Sequence, residues 1–159
     1  MNIEEKIILK INKMNMNQLI RQRNYYTSKI QINRRLIQTE QNLKRLVMNR
    51  IDELQQRILN NENELRRLMF LENELINNRQ RQFGSVVHIH NQIQYYRDLI
   101  NQQDQQIREL LNEMNNYEQN IYRYEEEIRA SIMNIEEINE EIEELSRPPV
   151  EFKYTVLKK

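Results

Sequence analysis

The side chains able to do chemistry in this 159-residue chain are few in kind. There is no Cys, so thiolate ligands, thiol nucleophiles and disulfides are excluded. His88 and His90 are the two histidines. Zinc takes three or four ligands, and an i, i+2 pair on a helix points to different faces, so both read as polar residues beside a turn. The clusters Glu125-Glu126-Glu127, Glu136-Glu137, Glu140-Glu141 and Glu143-Glu144 offer carboxylates to a divalent cation or to acid–base work. They lack a calcium loop's ligand spacing and its Gly, and exposed carboxylates on one helix have no apolar pocket to move their pKa. Their expected role is a solvated or helix-pairing face.

Arg21, Arg23, Arg34, Arg35, Lys44, Arg45, Arg50, Arg57, Arg66 and Arg67 have the chemistry to grip phosphates. They are spread around a helix among Asn and Gln instead of forming a basic region ahead of a zipper, so nucleic acid is not the expected partner. A Ser/His/Asp arrangement, a Gly-rich phosphate loop and an HExxH motif are all missing, so neither catalysis nor a cofactor or metal is expected.

The elements that carry these residues are set by composition. One Gly and two Pro in the whole chain leave almost no turn chemistry, which excludes a β-sandwich or a βαβ fold and leaves long helix. With 22 Asn, 16 Gln and 38% hydrophobic residues, a narrow apolar stripe is available but a thick core is not. Net charge is zero, yet residues 1–82 hold sixteen basic and nine acidic side chains, for +7, while 83–147 hold five and fourteen, for −9. The apolar run Ile7-Ile8-Leu9 is too short for a signal-peptide core or a transmembrane segment. The expected location is a virion or the cytoplasm, not the secretory route.

Stepping three and four residues from Val86 meets Val86, Ile89, Ile93, Tyr96, Ile100, Gln103, Ile107, Leu110, Met114, Tyr117, Ile121, Tyr124, Ile128, Ser131, Ile135, Ile138, Ile142 and Leu145. Sixteen of these eighteen are apolar or aromatic, where composition alone gives about seven, and the pattern predicts a left-handed coiled coil. Gln103 and Ser131 read as devices that fix register. Leu99, Leu111 and Ile132 are apolar exceptions on its polar flanks. Gly84-Ser85 marks the start of this helix, with Ser85 as N-cap, and Arg147-Pro148-Pro149 marks its end. Its length is then roughly 90 Å. Upstream, Leu19, Tyr26, Ile30, Leu36 or Ile37, Leu43, Val47, Ile51, Leu54, Ile58, Leu65, Leu68 and Leu75 form a second stripe, with a stutter where Leu43, Val47 and Ile51 are spaced four and four.

The predicted fold class is all-α: a long antiparallel helical hairpin with a short N-terminal amphipathic helix (1–16), a first long helix (17–82), a turn (83–85), a second coiled-coil helix (86–146) and an extended tail (147–159). Folding back at Gly84 pairs residues whose numbers sum to about 167, which sets the acidic run 125–144 beside Arg23, Lys29, Arg34 and Arg35. A continuous parallel dimer would set that run beside its own copy and is disfavoured by like-charge repulsion. In the amphipathic helix Ile3, Ile7, Ile8 and Ile11 occupy one side, with Lys6, Lys10 and Lys13 elsewhere. In the tail Val150, Phe152, Tyr154 and Val156 alternate with polar residues, which is strand periodicity suited to adding to a partner's sheet edge. Leu68, Met69, Phe70, Leu71, Leu75 and Ile76, near the turn, cover more than one helix face and are either a partner-binding end, with Phe70, Leu71 and Ile76 as its contacts, or cover for Phe83 and Val87.

A helical hairpin with these ends is expected to be a structural or assembly protein bridging or cementing other proteins of a large complex, with self-association left open. Asn, Ile, Lys and Tyr make up 59 residues against 20 for Gly, Ala, Arg and Pro, which points to an AT-rich genome. A minor capsid protein of a large DNA virus is the expected identity. The alternatives are a cytoskeletal or ciliary coiled coil of a protist and a nucleic-acid packaging protein that uses the basic first half.

Overall fold

The computed structural model describes residues 2–78 and 83–147, with the backbone alone at Phe83. Two helices make up the described chain, α1 (Ile3–Asn77) and α2 (Phe83–Ser146), and they pack against each other. Neither Gly nor Pro falls within α1, so nothing in its backbone chemistry interrupts 75 residues of helix. Its start is a reciprocal cap: the Glu5 backbone N–H donates to Asn2 Oδ1 at 2.8 Å, and the Asn2 N–H donates to Glu5 Oε2 at 3.3 Å. At the end of α2 the Ser146 hydroxyl donates to the Ile142 carbonyl at 2.8 Å, and Pro148-Pro149 follow Arg147 in the sequence.

Three sequence expectations change here. Residues 3–16 are not a separate short helix but the first turns of α1, because no helix-breaking residue separates them from residue 17 onward. Gly84 and Ser85 are not the turn, and Ser85 is not the cap, since both lie inside α2. Gly84 has no positive φ, and one helical Gly costs about 1 kcal/mol against Ala, which helix packing readily offsets. The chain therefore reverses before Phe83, and residues 79–82 lie outside the described residues. So does residue 148 onward, including the strand-like Val150, Phe152, Tyr154 and Val156.

Both helices contribute to two compact units. Unit 1 comprises Met1–Thr39 with Asn120–Lys159. In it Arg23 Nη1 donates to Asn139 Oδ1 at 3.1 Å, and Leu19 and Leu145 line one groove. Unit 2 is Glu40–Gln119. There Lys44 meets Glu118, Asn61 meets Gln103 and Glu72 meets His90. In each unit the numbers rise on α1 as they fall on α2, so the helices run antiparallel. The paired numbers sum to 162–164 instead of 167, because the reversal precedes Gly84.

Candidate functional site

In unit 2 a continuous stripe of α1 positions withdrawn from solvent runs Glu40, Lys44, Val47, Ile51, Leu54, Ile58, Asn61, Leu65, Leu68, Glu72 and Leu75, alternating four and three residues, with Glu62, Glu64 and Leu71 half-buried beside it. The expected stutter at Leu43 is thus absent. Lys44 holds the stripe position and Leu43 stays 37% exposed, because one uninterrupted register against α2 covers more residues than a local shift to seat one Leu. The facing positions of α2 are Val86, Ile89, Ile93, Tyr96, Ile100, Gln103, Ile107, Leu110, Met114 and Tyr117, every one buried or half-buried. Ser85, Gln92 and Leu99 beside them are also half-buried, so the covered stripe is wider on that flank.

The polar members of this stripe differ in how far their partners satisfy them. Asn61 Nδ2 donates to Gln103 Oε1 at 3.0 Å, so the buried Gln103 amide has its oxygen satisfied from the opposite helix. Lys44 Nζ lies 3.1 Å from Glu118 Oε1. Tyr117 donates its hydroxyl to Glu113 Oε1 at 2.6 Å, and this bond, followed by desolvation and the negative charges of Glu113 and Glu40, raises its pKa above the ordinary tyrosine value. His90 Nδ1 stands 3.5 Å from Glu72 Oε2, too far for a good hydrogen bond and an ion pair when the imidazole is protonated. Glu40 Oε2 and Glu72 Oε2 are buried without a hydrogen-bond partner. The half-buried Glu64 pairs with the exposed Arg67, which lowers the Glu64 pKa and raises that of Arg67 through their hydrogen bond.

Unit 1 repeats the pattern. Met16, Leu19, Arg23, Tyr26, Ile30, Asn33 and Ile37 are covered on α1, which places Ile37 and not Leu36 in the stripe. On α2 the stripe is Ile121, Tyr124, Ile128, Ser131, Ile135, Ile138, Ile142 and Leu145, with Asn120, Glu125, Glu127 and Asn134 half-buried beside it. Asn33 and Ser131 are buried, with Asn33 Nδ2 unpartnered. The antiparallel numbering brings the acidic stretch 125–144 alongside Arg21, Arg23, Lys29, Arg34 and Arg35. Arg23 spends one guanidinium N–H on Asn139, and Glu126 pairs with Arg129 of its own helix.

The residues singled out near the reversal divide. Leu68 is buried and Leu71 half-buried, whereas Phe70 is 62% exposed and Ile76 and Val87 are also exposed. His88 and His90 are both exposed, and among the described residues no three His, Asp or Glu side chains gather as a metal site. Apolar spacing points to the α2 stripe, but it passes over Arg23, Asn33, Glu40, Lys44, Asn61 and Glu72 on α1. The signal that finds them is a strict four-three count that ignores residue type.

Compared with models of protein families, with curated proteins and with solved structures, the chain matches none. Among the described residues no helix is long and apolar enough to cross a membrane.

Proposed function

We propose that this chain is a non-enzymatic structural protein, a coiled-coil hairpin that bridges or cements subunits of a large assembly. The observation that carries the reading is the four-three alternation of covered positions on both helices within each unit. A stripe of this kind spends its side chains on pairing helix with helix, and its polar layers lower stability while rejecting other alignments. That favours a spacer of defined register over a scaffold for a concave site. Exposed apolar side chains such as Phe70, Ile76 and Ile32 supply contact points for neighbouring proteins. The AT-rich composition favours a virion of a large DNA virus as the setting, with the chain as a minor capsid protein.

Cross-linking with mass spectrometry on the native assembly tests this. Cross-links from unit 1 and from unit 2 to different neighbouring proteins are expected. Links confined to the chain itself would refute bridging. Retention on DNA that weakens steeply as salt rises would move the reading to a packaging protein.

A further inference from the structure

Helix α1 carries a second row of apolar side chains, apart from the stripe that meets α2. Tyr25, Ile32, Leu36, Leu43 and Leu46 are all exposed, from 37% (Leu43) to 64% (Leu46). Lys29 and Thr39 fill the gaps between them, so the row steps four and three residues from 25 to 46 and keeps to one side of the helix, roughly a quarter turn from the α2-facing stripe. It is bounded at both ends, since the same steps lead to Gln22 and Gln18 before it and to Arg50 and Glu53 after it. The Tyr25 ring is held edge-on to Tyr26 at 5.2 Å. Beside the row Glu40 is half-buried, and its Oε2 is buried with no hydrogen-bond partner. Lys29, half-buried within the row, forms no ion pair among the described residues.

We propose that two copies of the chain pair through this row, α1 against α1, antiparallel about a two-fold axis near Arg35. The order of residues in the row selects that arrangement. Its polar positions, 29 and 39, sum to 68 and its ends, 25 and 46, sum to 71, so an axis that brings level the residues summing to about 70 sets polar against polar and apolar against apolar. Tyr25 then meets the partner's Leu43 and Leu46, and Ile32 meets the partner's Leu36. Lys29 comes level with the partner's Thr39 and Glu40, where its ammonium supplies the charge partner that Glu40 lacks. The contact is isologous, so each of these pairings occurs twice. A parallel pair would instead set Lys29 beside its own copy. Arg35 nears the partner's Arg35 at the axis, but on the exposed flank, where salt screens the two charges. The row is about 30 Å long, and its ten apolar side chains withdraw on the order of 1,000 Å², the lower limit for a specific, weak dimer. This inference goes beyond the bridging reading and is tested on the purified chain, so its failure is separate from a failure of the cross-links in the assembly.

The experiment is sedimentation equilibrium on the full chain. A dimer forming at roughly 10–100 μM is expected, as befits a small interface. Ile32→Asp with Leu43→Asp, both at exposed sites, should weaken it roughly tenfold or more, with circular dichroism showing that the chain stays helical. Lys29→Glu alone and Glu40→Lys alone each set like charges at both contacts and should weaken it roughly threefold. An equimolar mixture of those two variants should restore the dimer, because a mixed pair has both contacts complementary. A spin label on Gln22→Cys should report a separation between copies of about 40 Å, since residue 22 comes level with residue 48 of the partner. A chain that is monomeric throughout overturns the proposal and leaves the row to a helix of another protein. A dimer indifferent to Ile32→Asp with Leu43→Asp, a mixture no tighter than its components, or labels within about 20 Å of each other, as a parallel pair would place them, overturns it as well.

Discussion

The Asn61–Gln103 pair makes a sharp test, because removing both partners should do the opposite of removing one. Gln103 is buried and takes the Asn61 amide at 3.0 Å, while Asn61 is half-buried. Asn61→Leu leaves the Gln103 amide buried and unpaired, a cost of about 1–3 kcal/mol, and the partly covered new Leu returns only about 1 kcal/mol. The expected loss is about 1 kcal/mol. Gln103→Leu leaves an Asn that can turn toward water, so its hydrogen-bond loss and its gain in apolar burial nearly cancel, to within about 1 kcal/mol. Asn61→Leu with Gln103→Leu strands no polar group and adds two apolar side chains to the stripe, so it should exceed the original chain by about 2 kcal/mol. Urea unfolding of the four proteins gives the cycle: the double variant's midpoint should lie above all the others with an unchanged slope. Spin labels on the two helices of unit 2 should meanwhile show a broader distance distribution, because an all-apolar stripe tolerates a heptad slip. A double variant no more stable than the weaker single one would refute the reasoning.

Other substitutions probe the same packing at different points. Leu54, 1% exposed, should lose about 2–4 kcal/mol on change to Ala, whereas Leu46, 64% exposed, should change by less than about 0.5 kcal/mol, both by urea unfolding. Gly84→Ala should stabilise the chain by about 0.5–1 kcal/mol, seen as a higher melting temperature, because Gly84 is helical, has no positive φ and has open space where a Cβ would sit. Tyr117 has a raised pKa in the folded chain, so its contribution to stability is full below the unfolded value near 10 and is lost as pH climbs through the folded value. Ultraviolet titration should show a late-ionising tyrosine, and Glu113→Gln should make it ionise at lower pH.

Much of this architecture is local information and can be read from the chain. A near absence of Gly and Pro dictates helix, and the run of Ile at every seventh position from Ile93 to Ile107 and from Ile121 to Ile142 dictates which side of α2 is covered, because burial of apolar surface keeps the helical period whatever lies opposite. Charge segregation between the two halves likewise points to an antiparallel arrangement. The stripe of α1 is different. Arg23, Asn33, Glu40, Lys44, Asn61 and Glu72 occupy covered positions that their own chemistry disfavours, while Leu43 and Leu46 remain outside. Their placement is decided by one register shared with α2, in which the sum of favourable layers outweighs each misfit. The offset of that register, 162–164, depends on where the chain reverses, and a lone Gly inside a helix does not announce that. A periodicity belongs to one helix and is written in its residues; a register belongs to a pair, and the partner side chains that satisfy Gln103 or receive Lys44 are named only when the two helices meet.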